Sequence, residues 1–129
     1  MDESKCFALV AEDTELGRWA IAHALQAAGF EVYLSGGWVE SAGWLDRVDF
    51  DVAVMALSCD RDDVAHITSH VRGEHGRTKL VVLALQDDVA AIRRATGPGV
   101  VVLEKPLNVE QVVLAAKSST QPGAVAKGA

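Results

Sequence analysis

The sequence predicts one α/β domain built on a doubly wound parallel sheet. Short runs of β-branched apolar residues alternate with longer segments of helical spacing, and this unit repeats about five times along the 129 residues. Three of the apolar runs are nearly continuous, which is typical of central strands that helices cover on both faces. The strands are predicted over residues 7–10, 31–34, 51–57, 80–85 and 100–103.

Capping residues and apolar spacing predict the helices that connect and follow these strands. Asp13 or Thr14 can cap the first helix, and Gly29 ends it. Asn108 can cap the last helix, whose apolar residues face the sheet. The other helices are predicted over residues 38–45, 62–72 and 89–95.

Composition and charge narrow the class of protein. Half of the residues are apolar and 23% are charged, as in ordinary globular domains.

We expect residues 1–117 to form the domain and residues 118–129 to form a flexible tail, too short and polar to hold an effector domain. The net charge of -6 disfavours nucleic acid and anionic membranes as direct partners. Because no apolar stretch approaches the roughly 20 residues that span a bilayer, we expect a cytoplasmic protein.

The two cysteines do not indicate a metal site or a disulfide. Cys6 and Cys59 belong to no Cys-x-x-Cys pair and to no cluster with metal-ligand spacing. They are predicted at opposite ends of neighbouring parallel strands, beyond the reach of a disulfide. We therefore expect two free thiols.

In an open parallel sheet, functional side chains gather where the strands end, at the carboxyl edge. In this sequence Glu12 and Asp13 follow the first strand. The corresponding positions on the later strands are residues 56–59, 84–86 and 104–106.

Four segments carry a specific resemblance. AEDTELGRWAIAHALQAAGFEV, from residue 11, resembles the opening of a response-regulator receiver domain: an acidic pair, an arginine, and a helix that ends in Gly-aromatic. DFDVAVMAL is similar to the third strand of that family, KLVVLAL to its fourth, and VVLEKP to its fifth with the Lys-Pro signature. The resemblance covers residues 5 to about 117. It implies a flavodoxin-like (CheY-like) five-stranded parallel sheet in the order 2-1-3-4-5.

The resemblance also implies a degenerate phosphorylation site. Receiver domains bind Mg²⁺ through the acidic pair and an aspartate at the end of the third strand, which accepts a phosphoryl group from a histidine kinase. Here that position is Ala56. The hydroxyl residue of the fourth strand falls on Ala84, and the aromatic residue of the fifth falls on Val102. The degenerate site therefore comprises Glu12, Asp13, Ala56, Ala84, Val102 and Lys105.

Loss of the central carboxylate changes what the remaining residues can hold. Mg²⁺ requires near-octahedral oxygen coordination, and only Glu12, Asp13, the Ser58 carbonyl and water remain. We therefore expect weak or absent metal binding and no cofactor. Lys105 then needs another counter-charge, and we expect an ion pair with Asp13 or Glu12. Asp13 is also a candidate N-cap of the first helix.

Two alternatives stay open. Asp60 is the nearest carboxylate after the third strand and could be a displaced phosphate acceptor. That register, however, pushes Ser58 and Cys59 into the strand, and Asp60, Asp62 and Asp63 more simply place negative charge at a helix N-terminus. The alternative from another class is a small flavodoxin-like enzyme or nucleotide binder, although no Gly-rich phosphate loop follows the first strand.

The resemblance implies a stand-alone, atypical receiver that is not an enzyme. It would act in two-component (phosphorelay) signalling through phosphorylation-independent protein-protein contact. The expected partner is a histidine kinase, another regulator or a phosphotransfer protein, and a homodimer is possible. The last two helices and the strand between them are the candidate contact surface. Trp19, Trp38 and Trp44 are candidates for core packing or for a protein contact.

Overall fold

The computed structural model describes residues 5–73 and 77–118, and strands and helices alternate throughout this part of the chain. The strands are β1 (Cys6–Ala11), β2 (Phe30–Ser35), β3 (Val52–Ala56), β4 (Lys79–Ala84) and β5 (Val101–Glu104). The helices are α1 (Glu15–Ala27), α2 (Trp38–Arg47), α3 (Val64–Arg72), α4 (Gln86–Thr96) and α5 (Val109–Ser118). Apart from Ser118, the last residue of α5, the predicted tail lies outside the described residues.

All five strands are parallel and pair in the order β2-β1-β3-β4-β5. This arrangement confirms the predicted doubly wound sheet. The register places Ala11 opposite Met55, Ala56 opposite Leu83, and Ala84 opposite Glu104. The strands therefore end together, and the residues that follow them share one carboxyl edge.

Alternating side chains divide the core between the two faces of the sheet. On one face Leu9, Met55 and Val82 pack against Ile67 of α3 and Ile92 of α4. The opposite face carries the alternate strand residues, which pack against α1 and α5. Because helices cover both faces, all five residues of β3 are buried. Trp38 and Trp44 pack against the first of these two core clusters, whereas Trp19 is exposed and stacks on His23.

The ends of the elements follow local chemistry. Thr14 caps α1, with its Oγ1 accepting from Gly17 N at 3.1 Å, and Gly29 then adopts a φ of 102°. The Oδ1 atom of Asn108 accepts hydrogen bonds from the first amides of α5, as predicted. Among the described residues, no helix is both long and apolar enough to cross a membrane.

The helix predicted over residues 89–95 is shorter than the observed α4. The helix begins at Gln86 rather than at residue 89, and β4 ends at Ala84, so Leu85 precedes the helix as its exposed N-cap residue. Asp87 and Asp88 occupy the first turn, where carboxylates interact favourably with the helix dipole. Because the prediction relied on apolar spacing, it could not detect this polar first turn. Helix α2 likewise continues to Arg47, beyond the predicted residue 45.

Candidate functional site

Glu12 follows β1 directly and is 5% exposed. One of its carboxylate oxygens, Oε2, accepts hydrogen bonds from the backbone N and the Oγ1 of Thr14, both at 3.1 Å. The other, Oε1, lies 3.6 Å from Lys105 Nζ. The predicted ion pair of Lys105 is therefore confirmed with Glu12. Since an unpaired buried carboxylate is costly, this pairing explains how Glu12 is accommodated.

Two residues of α1 help to accommodate Glu12: Gly17 leaves room for its side chain, and Arg18 binds its backbone. A Cβ atom on Gly17 would lie 2.7 Å from Thr14 Oγ1 and 3.1 Å from the Glu12 side chain, so only glycine leaves room there. Arg18 NH1 donates to the backbone oxygen of Glu12 at 2.9 Å. Gly17 was not predicted as part of the site, because a glycine near a helix start carries no sign of which side chain approaches it.

Asp13 does not cap α1, so the capping prediction for this residue was wrong. Its carboxylate turns instead towards the loop after β3, where Arg61 NH1 lies 2.7 Å from Asp13 Oδ2. Both side chains are 49% exposed. Thr14 has the hydroxyl that reaches the helix amide, which leaves Asp13 free to pair with a cation.

The loop between β3 and α3 brings Arg61 over the end of the strand. Ser58 O accepts from the backbone N of Arg61 at 3.2 Å and of Asp62 at 2.8 Å, which closes a turn. Arg61 NH2 then lies 3.2 Å from Ala56 O and 2.9 Å from Asp62 Oδ2. The hydrogen bonds that the Arg61 guanidinium donates to Asp62 and Asp13 raise its pKa, so it stays charged. Nothing in the spacing of the sequence singled out Arg61.

The central positions of the predicted degenerate site are apolar and buried. Ala56 ends β3 with 8% exposure, and Ala84 ends β4 with 1% exposure. Val102, on β5, is also buried. Lys105 N donates to Ala84 O at 2.8 Å, and the Lys105–Pro106 peptide bond is cis. The side chains of Ala56, Ala84 and Val102 end in methyl groups and carry no oxygen.

A shallow cleft of about 270 Å³ opens beside Ala56. Asp13, Arg61 and Asp62 line one part of it, and Trp38, at the start of α2, lines another. The cleft thus combines an ion-pair network with an aromatic side chain.

The arrangement fits a divalent cation poorly. The Glu12 oxygens are engaged by Thr14 and Lys105, and Asp13 is engaged by Arg61. The Ser58 carbonyl, the third predicted ligand, accepts two backbone hydrogen bonds. Within residues 5–73 and 77–118, no group of three or more His, Cys, Asp or Glu side chains is placed to hold a metal. Mg²⁺ would have to displace bonds already made within the chain.

The remaining acidic residues of the β3–α3 loop differ in their roles. Asp63 caps α3, and its Oδ1 accepts from His66 N at 3.1 Å. The Asp62 side chain is 11% exposed, and its Oδ2 accepts from Ser58 N at 2.9 Å. Asp60 is exposed, and its backbone N donates to Ser58 Oγ. Of the predicted negative charges at this helix start, only Asp63 makes the capping contact.

Both cysteines are free, as predicted. Cys6 is half-buried and begins β1, whereas Cys59 is exposed in the loop after β3. Neighbouring atoms partly desolvate the Cys59 thiol, and Asp88 adds a nearby negative charge and a hydrogen bond. These effects raise the pKa of Cys59.

Comparisons with known proteins identify the architecture. No family model matches the sequence, and no curated protein matches it. Solved structures do match. A response regulator receiver protein from Sinorhizobium medicae is 20% identical, with a TM-score of 0.79 over 92% of this chain and 96% of that one. The chain has the receiver-domain fold.

Two further structures support the same assignment. A receiver domain from Clostridium thermocellum has a TM-score of 0.80 at 16% identity, over 94% of this chain and 98% of that one. A response regulator from Thermotoga maritima has a TM-score of 0.74 at 19% identity, over 90% and 98%. Identities this low establish the receiver fold alone. The chemistry of the site therefore rests on the residues described above.

Proposed function

We propose that this domain is a pseudo-receiver, which acts in two-component signalling through protein-protein contact and without being phosphorylated. The observation that carries the proposal is the methyl group of Ala56 at the end of β3, beside Asp13 and Arg61. An acyl phosphate needs a carboxylate oxygen to attack phosphorus, and alanine has none. Ala84 and Val102 likewise offer neither a hydroxyl nor an aromatic ring that could respond to a phosphate.

The nearby carboxylates support a single static arrangement. Glu12 is paired with Lys105, Asp13 and Asp62 with Arg61, and Asp63 with the amide of His66. In each of these carboxylates at least one oxygen is already engaged in an ion pair or a cap. We therefore propose no enzymatic activity and no required cofactor.

The proposed partner is a cytoplasmic signalling protein: a histidine kinase, another regulator or a phosphotransfer protein. We propose α4, β5 and α5 as the contact surface. Two exposed leucines on these helices support this choice, because Leu85 at the start of α4 is 60% exposed and Leu114 of α5 is 67% exposed.

The test of phosphorylation uses the whole chain, acetyl phosphate and Mg²⁺, followed by intact-mass measurement. We expect no added mass, while a receiver that keeps its acceptor aspartate gains about 80 Da under the same conditions. A gain of about 80 Da on this chain would refute the proposal, even if the adduct hydrolyses later. Single Asp60→Asn, Asp62→Asn and Asp63→Asn variants would then locate the acceptor.

The contact surface is tested by capture from a cytosolic extract, with and without acetyl phosphate. We expect the same signalling protein to be captured in both conditions by the wild type. Leu85→Asp should abolish capture, whereas the control Val39→Asp, on the 86% exposed Val39 of α2, should not. Capture that depends on the phosphodonor would contradict phosphorylation-independent action.

A further inference from the structure

One basic side chain bonds to oxygens of three residues at the carboxyl edge, one after β1 and two at the end of β3 and in its loop. Arg61 NH1 lies 2.7 Å from Asp13 Oδ2, next to the end of β1. Arg61 NH2 lies 3.2 Å from Ala56 O, the last residue of β3, and 2.9 Å from Asp62 Oδ2 in the following loop. A guanidinium is a planar fork of five donors, so it can serve oxygens in several directions at once.

The backbone of the loop fixes this arrangement. The Asp62 carboxylate is oriented by Ser58 N, which donates to its Oδ2 at 2.9 Å. The turn at Ser58 O sets the direction in which the Arg61 side chain leaves the chain. Arg61 is therefore held at its base by the turn and at its tip by three oxygens.

We propose that Arg61 is the resident cation of this pocket and that it fills a latent divalent-cation site. The ligands of that site would be the carboxylates of Asp13 and Asp62 and the carbonyl of Ala56. Carboxylate and carbonyl oxygens are the ligands that Mg²⁺ and Ca²⁺ prefer. Without a cation between them the two carboxylates would repel each other, and Arg61 supplies that charge from within the chain.

This proposal deepens the proposed function, because a pocket that carries its own cation is independent of metal ions as well as of phosphate. The proposed effect of Arg61 is that it occupies the pocket, and it adds little to the stability of the fold. Arg61 and Asp13 are each half-exposed, and ion pairs at that exposure contribute little to folding. The stability of the wild type therefore does not distinguish a resident cation from a simple surface ion pair. They differ in how the protein responds to metal once Arg61 is removed.

The test measures thermal unfolding of the whole chain at constant ionic strength, with and without Mg²⁺ or Ca²⁺ alone. We expect the Tm of the wild type to move by less than about 1 °C at about 10 mM metal ion. The Tm of Arg61→Gln should rise by about 4 °C under the same conditions, as for a site of millimolar affinity. Arg93→Gln, on the exposed Arg93 of α4, removes the same charge away from the pocket and should behave like the wild type. A wild-type shift equal to that of Arg61→Gln, or no shift in Arg61→Gln, overturns the proposal.

A second measurement needs no variant. Mn²⁺ titrated into the isotopically labelled wild type should leave the amide signals of Asp13 and Ser58 unbroadened relative to exposed residues elsewhere. Selective broadening of these signals would show that metal enters despite Arg61 and would overturn the proposal. The two proposals can fail separately, since phosphate on Asp60 would refute the pseudo-receiver and leave the metal response of Arg61→Gln unchanged.

Discussion

Within a few residues of the end of β3, the molecule changes from an apolar interior to a charged rim. Every residue of β3 is buried among apolar neighbours, whereas Cys59, Asp60 and Arg61 in the following loop are exposed. The interior is that of an ordinary doubly wound sheet. Ala56 and Ala84, the last residues of β3 and β4, are buried and mark the boundary between this interior and the rim.

The difference shows how the fold and the site can vary independently. Truncation of a buried aliphatic side chain costs roughly 2–5 kcal/mol, whereas an exposed ion pair contributes about 0–1 kcal/mol. The interior can therefore maintain the receiver fold with different side chains at the rim. Conversely, the rim can be rebuilt around Arg61 at little cost in stability.

The largest expected effect breaks the interior. Ile67 of α3 is 1% exposed and packs in the core cluster beside Met55. Ile67→Ala should lower the free energy of unfolding by about 3 kcal/mol, because it leaves a cavity that its neighbours fill only partly. Val39→Ala, at an exposed position of α2, is the control and should change it by less than about 0.5 kcal/mol. Urea denaturation followed by circular dichroism compares the two, and equal effects would contradict the assigned core.

A smaller effect is expected where the rim begins. Thr14→Ala removes the cap of α1 and one donor to the buried Glu12, and should cost about 1–2 kcal/mol. Thr14→Ser keeps the hydroxyl and should lose less than half as much. If the serine variant is as destabilised as the alanine variant, the hydroxyl contacts do not account for the loss. Urea denaturation measures both.

The smallest effect concerns reactivity at the rim and leaves stability almost unchanged. Because the pKa of Cys59 is raised, less thiolate is present at a given pH, and its alkylation should set in at higher pH than that of an unperturbed thiol. Asp88→Asn removes the nearby negative charge, lowers the pKa and should increase the rate at pH 8 about twofold or more. Mass spectrometry after brief iodoacetamide treatment measures the rate at Cys59, with the half-buried Cys6 as internal reference. An unchanged rate in Asp88→Asn would show that Asp88 does not contribute to the raised pKa of Cys59.

Particular residues show where prediction from the sequence worked. The apolar runs predicted all five strands, and Asp13 or Thr14 together with Gly29 predicted the two ends of the first helix, of which Thr14 makes the cap. Asn108 predicted the start of the last helix. The pairing of Lys105 with a carboxylate was also predictable, because a partly buried ammonium requires one and the strand ends place Glu12 nearby. The start of α4 was not, since its first turn is polar and carries no apolar spacing.

Alone, the sequence determined the order of strands and helices, the shared carboxyl edge and the apolar residues at its centre, because these depend on periodicity and residue type. Only the tertiary structure decided which charges meet. Arg61 reaches Asp13 across 48 positions of the chain, and Gly17 makes room for Glu12. Such contacts depend on the direction in which a turn sends a side chain. That direction is set by neighbouring segments rather than by spacing along the chain.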